Sequence, residues 1–450
     1  MNDKNIWGTP FLYKLFRPVD NSPLIIFRII FGILLFYHVM ASLLNGTIYA
    51  NYIQPPFTFN YIGFEFLQPL PGNGMYFYVG LMALAAILVM LGAWYRVAMI
   101  SFAVLWTLLY LVQKSGYNNH YYLILLLCWI MAFVPANGYC SVDVKRKRIT
   151  KTLTCPRWAT WIFAAQLSIV YFFAAISKLN TGWFSGKFLA IQFSRLSMHR
   201  IYGIIYNKSW FPEFIAYTGF FFNLLIVPLL LWKKTRHAAF FLSCLFHLFN
   251  LFSFQIGIFP FLAIALTLFF IEPEKIRSLF FKSKPVNNHI EQCITGNSYK
   301  RKMLIFCLTV YFIFQILLPL RSLRYPGNVF WTEEGYRLSW KMMLRSKTGT
   351  IHFKVIDPLS GKTWIEDPKK IFSPTHVMWI AICPDISWQY AQRLKNEYSM
   401  KGFLNVEVYA IGSVSLNRGK PIPLIDPTAN LARVTWFPFR HSSWIKKNDP

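Results

Sequence analysis

The chain has 450 residues, 55% of them hydrophobic and 19% aromatic, with only 14% charged. Soluble domains are about a quarter charged, so these proportions exclude an ordinary water-soluble globule and put most of the chain in lipid. The net charge is +28, but the cations lie in groups between apolar runs, as in a membrane protein's inner loops rather than a nucleic-acid-binding surface.

The first apolar run, Pro23 to Leu44, is followed by no small-residue cleavage site and is expected to be a retained anchor rather than a signal peptide. Apolar stretches at about 75–93, 97–113, 119–136, 158–177, 213–232, 237–254, 257–271 and 303–320 bring the expected spans to nine. Between the fifth and sixth, residues 183–206 space apolar residues regularly among Arg195 and Arg200, which predicts a helix lying in the outer interface. With the N-terminus inside, the inner segments hold twenty cations and the short outer loops six, so nine spans place the C-terminal region outside.

From Arg321 onward the pattern changes. "HVMWIAICP" and "NVEVYAIGSVSLNRGKPIPLID" read as strands, with an "NRGK" turn in the second, and "PDISWQYAQRLKNEYS" reads as a helix. The expected fold is an all-α polytopic membrane domain, residues 1–320, followed by a strand-rich α+β soluble domain, residues 321–450. Of seven cysteines only Cys383 falls in the outer domain, so no disulfide framework is available there within one chain. No CxxC or HExxH occurs, and no metal is expected.

Ionisable residues within spans are expensive and point to function. The expected topology gathers three of them in the outer half of the bilayer. Lys178 in "YFFAAISKLNTGW" ends the fifth span, His120 in "YNNHYYL" opens the fourth, and His247 lies along the seventh; Asn119 and Asn250 accompany the histidines. Structural roles exist for each: a lysine at a helix end snorkels to the headgroups, and a histidine in an aromatic span hydrogen-bonds a neighbouring helix. A desolvated Lys178 behaves differently. No acidic residue occurs between Leu167 and Pro212 to hold its charge, so burial favours the neutral amine. A neutral amine can take a proton from a weak acid such as a hydroquinone arriving from the lipid.

Taken in order, "LQPLPGNGMY", "YNNHYYL", "YFFAAISKLNTGW", "HLFNLFSFQIGIFPF", "WTEEGYRLSWKMML" and "WFPFRHSSW" resemble the vitamin K-dependent gamma-carboxylases over nearly the whole chain. The resemblance implies a membrane enzyme using reduced vitamin K (the hydroquinone), oxygen and carbon dioxide on a glutamate-containing protein or peptide. The lysine matched by Lys178 deprotonates the hydroquinone, and oxygen addition gives an alkoxide that removes a glutamate γ proton. Carbon dioxide then adds, yielding gamma-carboxyglutamate and vitamin K epoxide. His120 is implied as a second catalytic residue, with Asn119, His247, Asn250 and Met342 at the cofactor. The glutamate site implied comprises Arg195, Trp331, Tyr336, Ser339, Trp340 and Arg345, with Met343 in the same motif.

The chain departs from the family's animal members in places. Arg345, followed by Lys347, stands close to where they carry a histidine, and another histidine position falls near Ser322. Cys383 has no cysteine partner in the first outer loop, residues 45–74. The expected setting is a bacterial inner membrane with a periplasmic outer domain, or a lumenal one in a eukaryote. The bilayer is the expected partner besides the protein substrate, and no nucleic acid is expected. Two other readings stand beside the carboxylase: an enzyme that epoxidises vitamin K without carboxylating protein, and a transporter, which predicts inverted repeats and broken helices.

Overall fold

The computed structural model describes residues 10–179, 181–196, 203, 205–254, 256–286, 298–342 and 344–447, apart from the side chains of residues 10–12, 181, 195, 196 and 298. All nine expected spans fall on helices: α1 (Ser22–Leu44), α2 (Gly74–Leu91), α3 (Tyr95–Val112), α4 (Asn119–Phe133), α5 (Trp158–Ile176), α7 (Phe211–Leu231), α8 (Arg236–Ser253), α9 (Phe259–Thr267) and α10 (Ser298–Leu320). A shorter helix, α6 (Lys187–Leu196), lies where the interfacial helix is expected; residues 197–202 and 204 are outside the described residues.

Six of the nine, α1, α2, α3, α5, α7 and the last taken as Tyr299–Arg324, are long and apolar enough to cross a membrane. Crossing takes about 20 apolar residues. The 15 residues of α4 and the short α9 fall below that, and α8 carries Arg236, His237, His247 and Asn250. Length and composition therefore support six crossings where the sequence suggested nine.

Local signals explain the ends. Asn118 caps α4, its side chain accepting the His120 amide at 2.8 Å, which leaves Asn119 free for another task. Gly92 ends α2 in the left-handed conformation, φ 63°. A Cβ there would collide with the guanidinium of Arg28, which is buried and donates to the carbonyls of Ala136 and Cys140. At the same end of the bundle β1 (Pro18–Asp20) pairs antiparallel with β2 (Thr154–Pro156), and Lys284 donates to Asp20, Asn21 and Ser22.

The apolar faces of α1 to α5 and α7 to α9 meet in one core, where Phe163 stacks on Phe269 at 4.4 Å and Phe27 packs against both. Helix α10 is peripheral, with only 11% of its apolar window buried. A polar chain ties it in: Tyr311 donates to Gln166 Oε1 at 2.6 Å, and Gln315 donates to the Tyr122 hydroxyl at 3.1 Å.

The outer region holds a second core. Strand β3 (Lys347–Ile356) lies between β4 (Thr363–Glu366) and β5 (Glu407–Leu416), both antiparallel to it, with Phe353 opposite Ala410 and Glu366. Helices α11 (Pro374–Ile382) and α12 (Pro384–Met400) pack against this sheet. The architecture of this region is α+β, with three strands among its described residues.

Two expected strands are corrected here. "HVMWIAICP" is helix α11, with Pro374 in its first turn; a short apolar run, buried except for half-buried Met378 and Trp379, carries no clear periodicity that distinguishes helix from strand. The "NRGK" turn is present, with Asn417 and Arg418 at φ 51° and 59°. The segment after it touches β5 only at the Val414–Ile422 bridge, because Pro421 and Pro423 have no amide to donate.

Asp385, at the start of α12, joins the two cores. It lies 2.7 Å from Lys114, in the loop between α3 and α4, and 2.6 Å from Arg337. Burial alone would raise the Asp385 pKa, but Arg337 and Lys114 hold the carboxyl well below the usual carboxylate range. The pair's contribution is thus full above the unfolded value of about 4 and is lost only as pH falls through the lowered folded value. Asp385→Asn is expected to lower stability in detergent by about 3–5 kcal/mol at neutral pH, since buried Lys114 and half-buried Arg337 lose their partner. Thermal melts at pH 7 and near pH 2 check this, with the gap between variant and wild type narrowing in acid.

Candidate functional site

Three helix ends and two helix faces enclose a cavity of about 700 Å³ in the outer half of the helical bundle. Helix α8 shows why the sequence folds this way. Ala239, Ser243 and His247 recur every fourth residue and form its buried stripe, while Phe241, Leu245 and Phe252 remain exposed. The stripe turns His247 inward, where the Tyr171 hydroxyl of α5 lies 2.7 Å from its Nε2. His247 Nδ1 is buried and has no hydrogen-bond partner.

His120, in the first turn of α4, stacks on Phe259 at 4.0 Å, and Phe259 in turn meets His247 edge-on at 5.8 Å. One phenyl ring thus separates the two imidazoles and fixes both planes. Like that of His247, the Nδ1 of His120 is buried without a partner.

Lys178 follows the end of α5 by two residues and turns back toward the cavity. Its Nζ donates to the Ala174 carbonyl at 3.1 Å and sits 5.2 Å from the centre of the Trp183 ring. Trp183 is itself fixed by a 2.9 Å bond to the Ala216 carbonyl. Lys178 is only 6% exposed, and among the described residues no Asp or Glu lines the cavity. Burial with nothing to offset it lowers the amine's pKa to about 7.

Of the residues singled out in the sequence, Lys178, His120, His247, Asn250 and Met342 line this one cavity. Asn119 is not among its lining residues. It accepts from the Tyr117 hydroxyl at 2.8 Å and donates to the Lys341 carbonyl at 3.1 Å, so it holds the segment that presents Met342. Trp331 belongs to the outer core, donating to the Lys446 carbonyl, and Trp340 is buried against Tyr122 at 4.9 Å. Both tryptophans fix the 331–345 segment rather than face open space. Ser339 donates to the Gly335 carbonyl within that segment.

Tyr336 faces Arg345, whose guanidinium lies 4.4 Å from the ring centre. Arg345 is paired with Glu333 at 2.6 Å, and Lys347 approaches the same carboxylate at 3.3 Å. The Arg195 side chain and Met343 lie outside the described residues. Cys383 is buried in the outer core, where burial, followed by the charge of Glu333, pushes its thiol up to about 12. A thiol so placed packs as a small apolar group.

Three further residues of the cavity went unnoticed in the sequence: Tyr171, Trp183 and Asn223. Asn223 is a lone amide in the α7 run "GFFFNLLIV", a detectable signal by the same logic that picked out His247. Tyr171 and Trp183 sit among many aromatics and carry no such signal.

Residues 16–274 match the family described as HTTM domain, and residues 300–449 match the family described as vitamin K-dependent gamma-carboxylase, lumenal domain. No solved structure matches the chain.

The site's electrostatics can be read directly from the reactivity of Lys178. With a pKa near 7 its amine is about 90% neutral at pH 8, against under 1% for an exposed lysine of pKa ~10.4. Phenyl isothiocyanate, a small apolar amine reagent, is expected to label Lys178 before the exposed lysines at pH 8. Labelling should halve near pH 7, as followed by peptide mass spectrometry.

Proposed function

The chain belongs to the vitamin K-dependent gamma-carboxylase family, and we propose that it carboxylates glutamate side chains of a protein substrate, with Lys178 as the base that starts the reaction. Reduced vitamin K, when bound, supplies with oxygen a base strong enough to take a glutamate γ proton, after which carbon dioxide adds to that carbon. In class terms the activity is a carbon–carbon lyase coupled to vitamin K epoxidation.

The cavity's shape and chemistry support this reading. It is lined almost wholly by apolar side chains, and its volume lies in the range of sites that take a drug-sized molecule. Phe214, Tyr217 and Phe221 of α7 and Leu242 and Leu245 of α8 line it and are each about half exposed on the bundle surface. That face is a lateral mouth, through which a flat ring enters from the bilayer while an apolar tail stays in lipid. His120 and His247 both line the cavity, and the Nδ1 of each is buried without a hydrogen-bond partner. Asn250 and Met342 complete the wall, with Asn119 holding the latter's segment.

The observation that carries the proposal is Lys178 itself, an amine buried with no carboxylate among the residues lining its cavity. Its Nζ accepts the first proton there, and the apolar wall keeps water from quenching the stronger base that follows. Tyr336 and Arg345, in contact with each other on the outer side, would receive the glutamate along with Arg195. Trp331, Ser339 and Trp340 hold the segment that carries both residues in place. Nine crossings, with the N-terminus cytoplasmic and residues 321–450 outside, bring the protein substrate to this side, as the charge bias favours.

One observation favours epoxidation without carboxylation: the Arg345 charge is already matched by Glu333, and a guanidinium does not serve as acid or base at neutral pH. Purified protein in detergent, given reduced vitamin K, labelled bicarbonate and a glutamate-rich peptide, separates the two. Wild type is expected to form vitamin K epoxide and labelled peptide together, and Lys178→Ala to lose both by at least about 10²-fold, the lower end of a general base's contribution. Epoxide without labelled peptide supports the second reading, and unchanged epoxide formation by Lys178→Ala removes Lys178 from the mechanism.

A further inference from the structure

The sheet of the outer region has an edge that its own strands leave open. Strand β3 pairs with β5 along its whole length, but with β4 only over residues 353–356. Antiparallel neighbours bond through every second residue, so alternation decides which backbone groups remain. The Asp357 amide, just past β3, donates to the Lys362 carbonyl on the β4 side at 2.9 Å, and Val414, opposite Gly349, bonds away from β3 to Ile422. The odd-numbered residues of β3 thus turn their N–H and C=O to the β4 side. Beyond Glu366 the β4 chain meets Pro368, which has no amide, and leaves the sheet in a short 3₁₀ turn, Pro368–Lys370. Gly349 and Ile351 keep edge amides and carbonyls that meet no partner among the described residues.

Open edges pair with other chains, so they are normally blunted by charge, proline, a bulge or a covering element. Residues 347–351 carry none of the first three. Their register to β5 runs without a bulge, and no proline occurs. The one charge, Lys347, is drawn into the core, donating to the Trp331 and Ile382 carbonyls. Thr348 and Thr350 are exposed, and Gly349 is partly exposed. Arg345, in contact with Tyr336, precedes β3 by two residues, or ~7 Å of extended chain. Residues 321–450 hold nineteen Lys and Arg against ten Asp and Glu, which favours an acidic partner over a second copy of this basic region.

We propose that an extended, acidic segment of the protein substrate adds to this edge as a strand in line with β4. It pairs with Gly349 and Ile351, and a glutamate at its end comes to Tyr336 and Arg345. Main-chain bonds supply the affinity in strand addition, so the edge accepts varied sequences provided they are extended. The choice of partner rests on the function proposed above.

The probe is a short peptide rich in glutamate, given to the full chain in detergent at low ionic strength and without vitamin K. Amide hydrogen exchange is followed at single residues by fragmentation mass spectrometry. With peptide at 100 times its Kd, exchange at Gly349 and Ile351 is expected to slow about 100-fold, because those amides then open only in the unbound fraction. Thr348 and Thr350, whose backbone faces β5, should not change. Thr350→Cys, at an exposed position, then reads the geometry against peptides that carry one cysteine, moved a residue at a time. Cα atoms facing each other there are about 4.5 Å apart, within disulfide reach, so cross-linking should recur at every second peptide position. The proposal is overturned if no peptide binds, if bound peptide leaves Gly349 and Ile351 unprotected, or if cross-linking shows no two-residue period. Protection that needs no peptide and rises with protein concentration puts a second copy on the edge and also overturns it. Carboxylation of the same peptide is assayed separately. A peptide carboxylated without protecting the edge removes the docking alone, and one that protects the edge but is never carboxylated removes the function alone.

Discussion

An amine kept away from both water and carboxylates is the constraint around which the membrane half is arranged. Lys178 has a carbonyl at 3.1 Å and an indole ring at 5.2 Å, and neither carries the full negative charge that would hold its proton. Everything nearby sustains this. Trp183 is pinned by the Ala216 carbonyl, Phe259 keeps two imidazoles apart and fixed in plane, and the inward stripe of α8 admits Ser243 and His247 but no charge. A single carboxylate placed on the cavity wall would favour the ammonium and oppose the role proposed for Lys178. In that sense the apolar excess of the composition and the chemistry of the site are one fact seen at two scales.

Charge is present in quantity, but just beyond the cavity. Glu333 is shared by Arg345 and Lys347, and Asp385 by Lys114 and Arg337. These buried pairs lie in the segments that join the outer sheet to the outer ends of α3 and α10, where they cost desolvation but fix geometry. Asn119 extends the same work inward by holding the Lys341 carbonyl next to Met342. The outer region therefore contributes Met342 to the wall of the membrane cavity.

How much of this was legible in the sequence depended on how rare each residue is in its surroundings. His120, Lys178 and His247 interrupt apolar runs, so each was visible alone, and the alternation of spans placed them together. Asn223 carried the same signal and was passed over. Tyr171 and Trp183 were invisible among 84 aromatic residues, since a tyrosine that orients a histidine looks like one that fills space. Trp331 and Trp340 were conspicuous by type, yet their surroundings are core. The strand reading of "HVMWIAICP" failed because a short, largely buried apolar run shows no clear period, and only six of the nine expected spans are long and apolar enough to cross by themselves, since α4, α8 and α9 are short or polar.

The central claim is that Lys178 acts as a neutral amine and does nothing else that an alanine could not. Chemical rescue tests this most directly. Lys178→Ala leaves space at the cavity edge, and small primary amines of graded basicity can be supplied from solution while vitamin K epoxide formation is followed. The account predicts little product without amine, and rescue that rises with the concentration of the neutral form and with amine pKa. Full product without any amine, or rescue that follows amine size and ignores basicity, would contradict it.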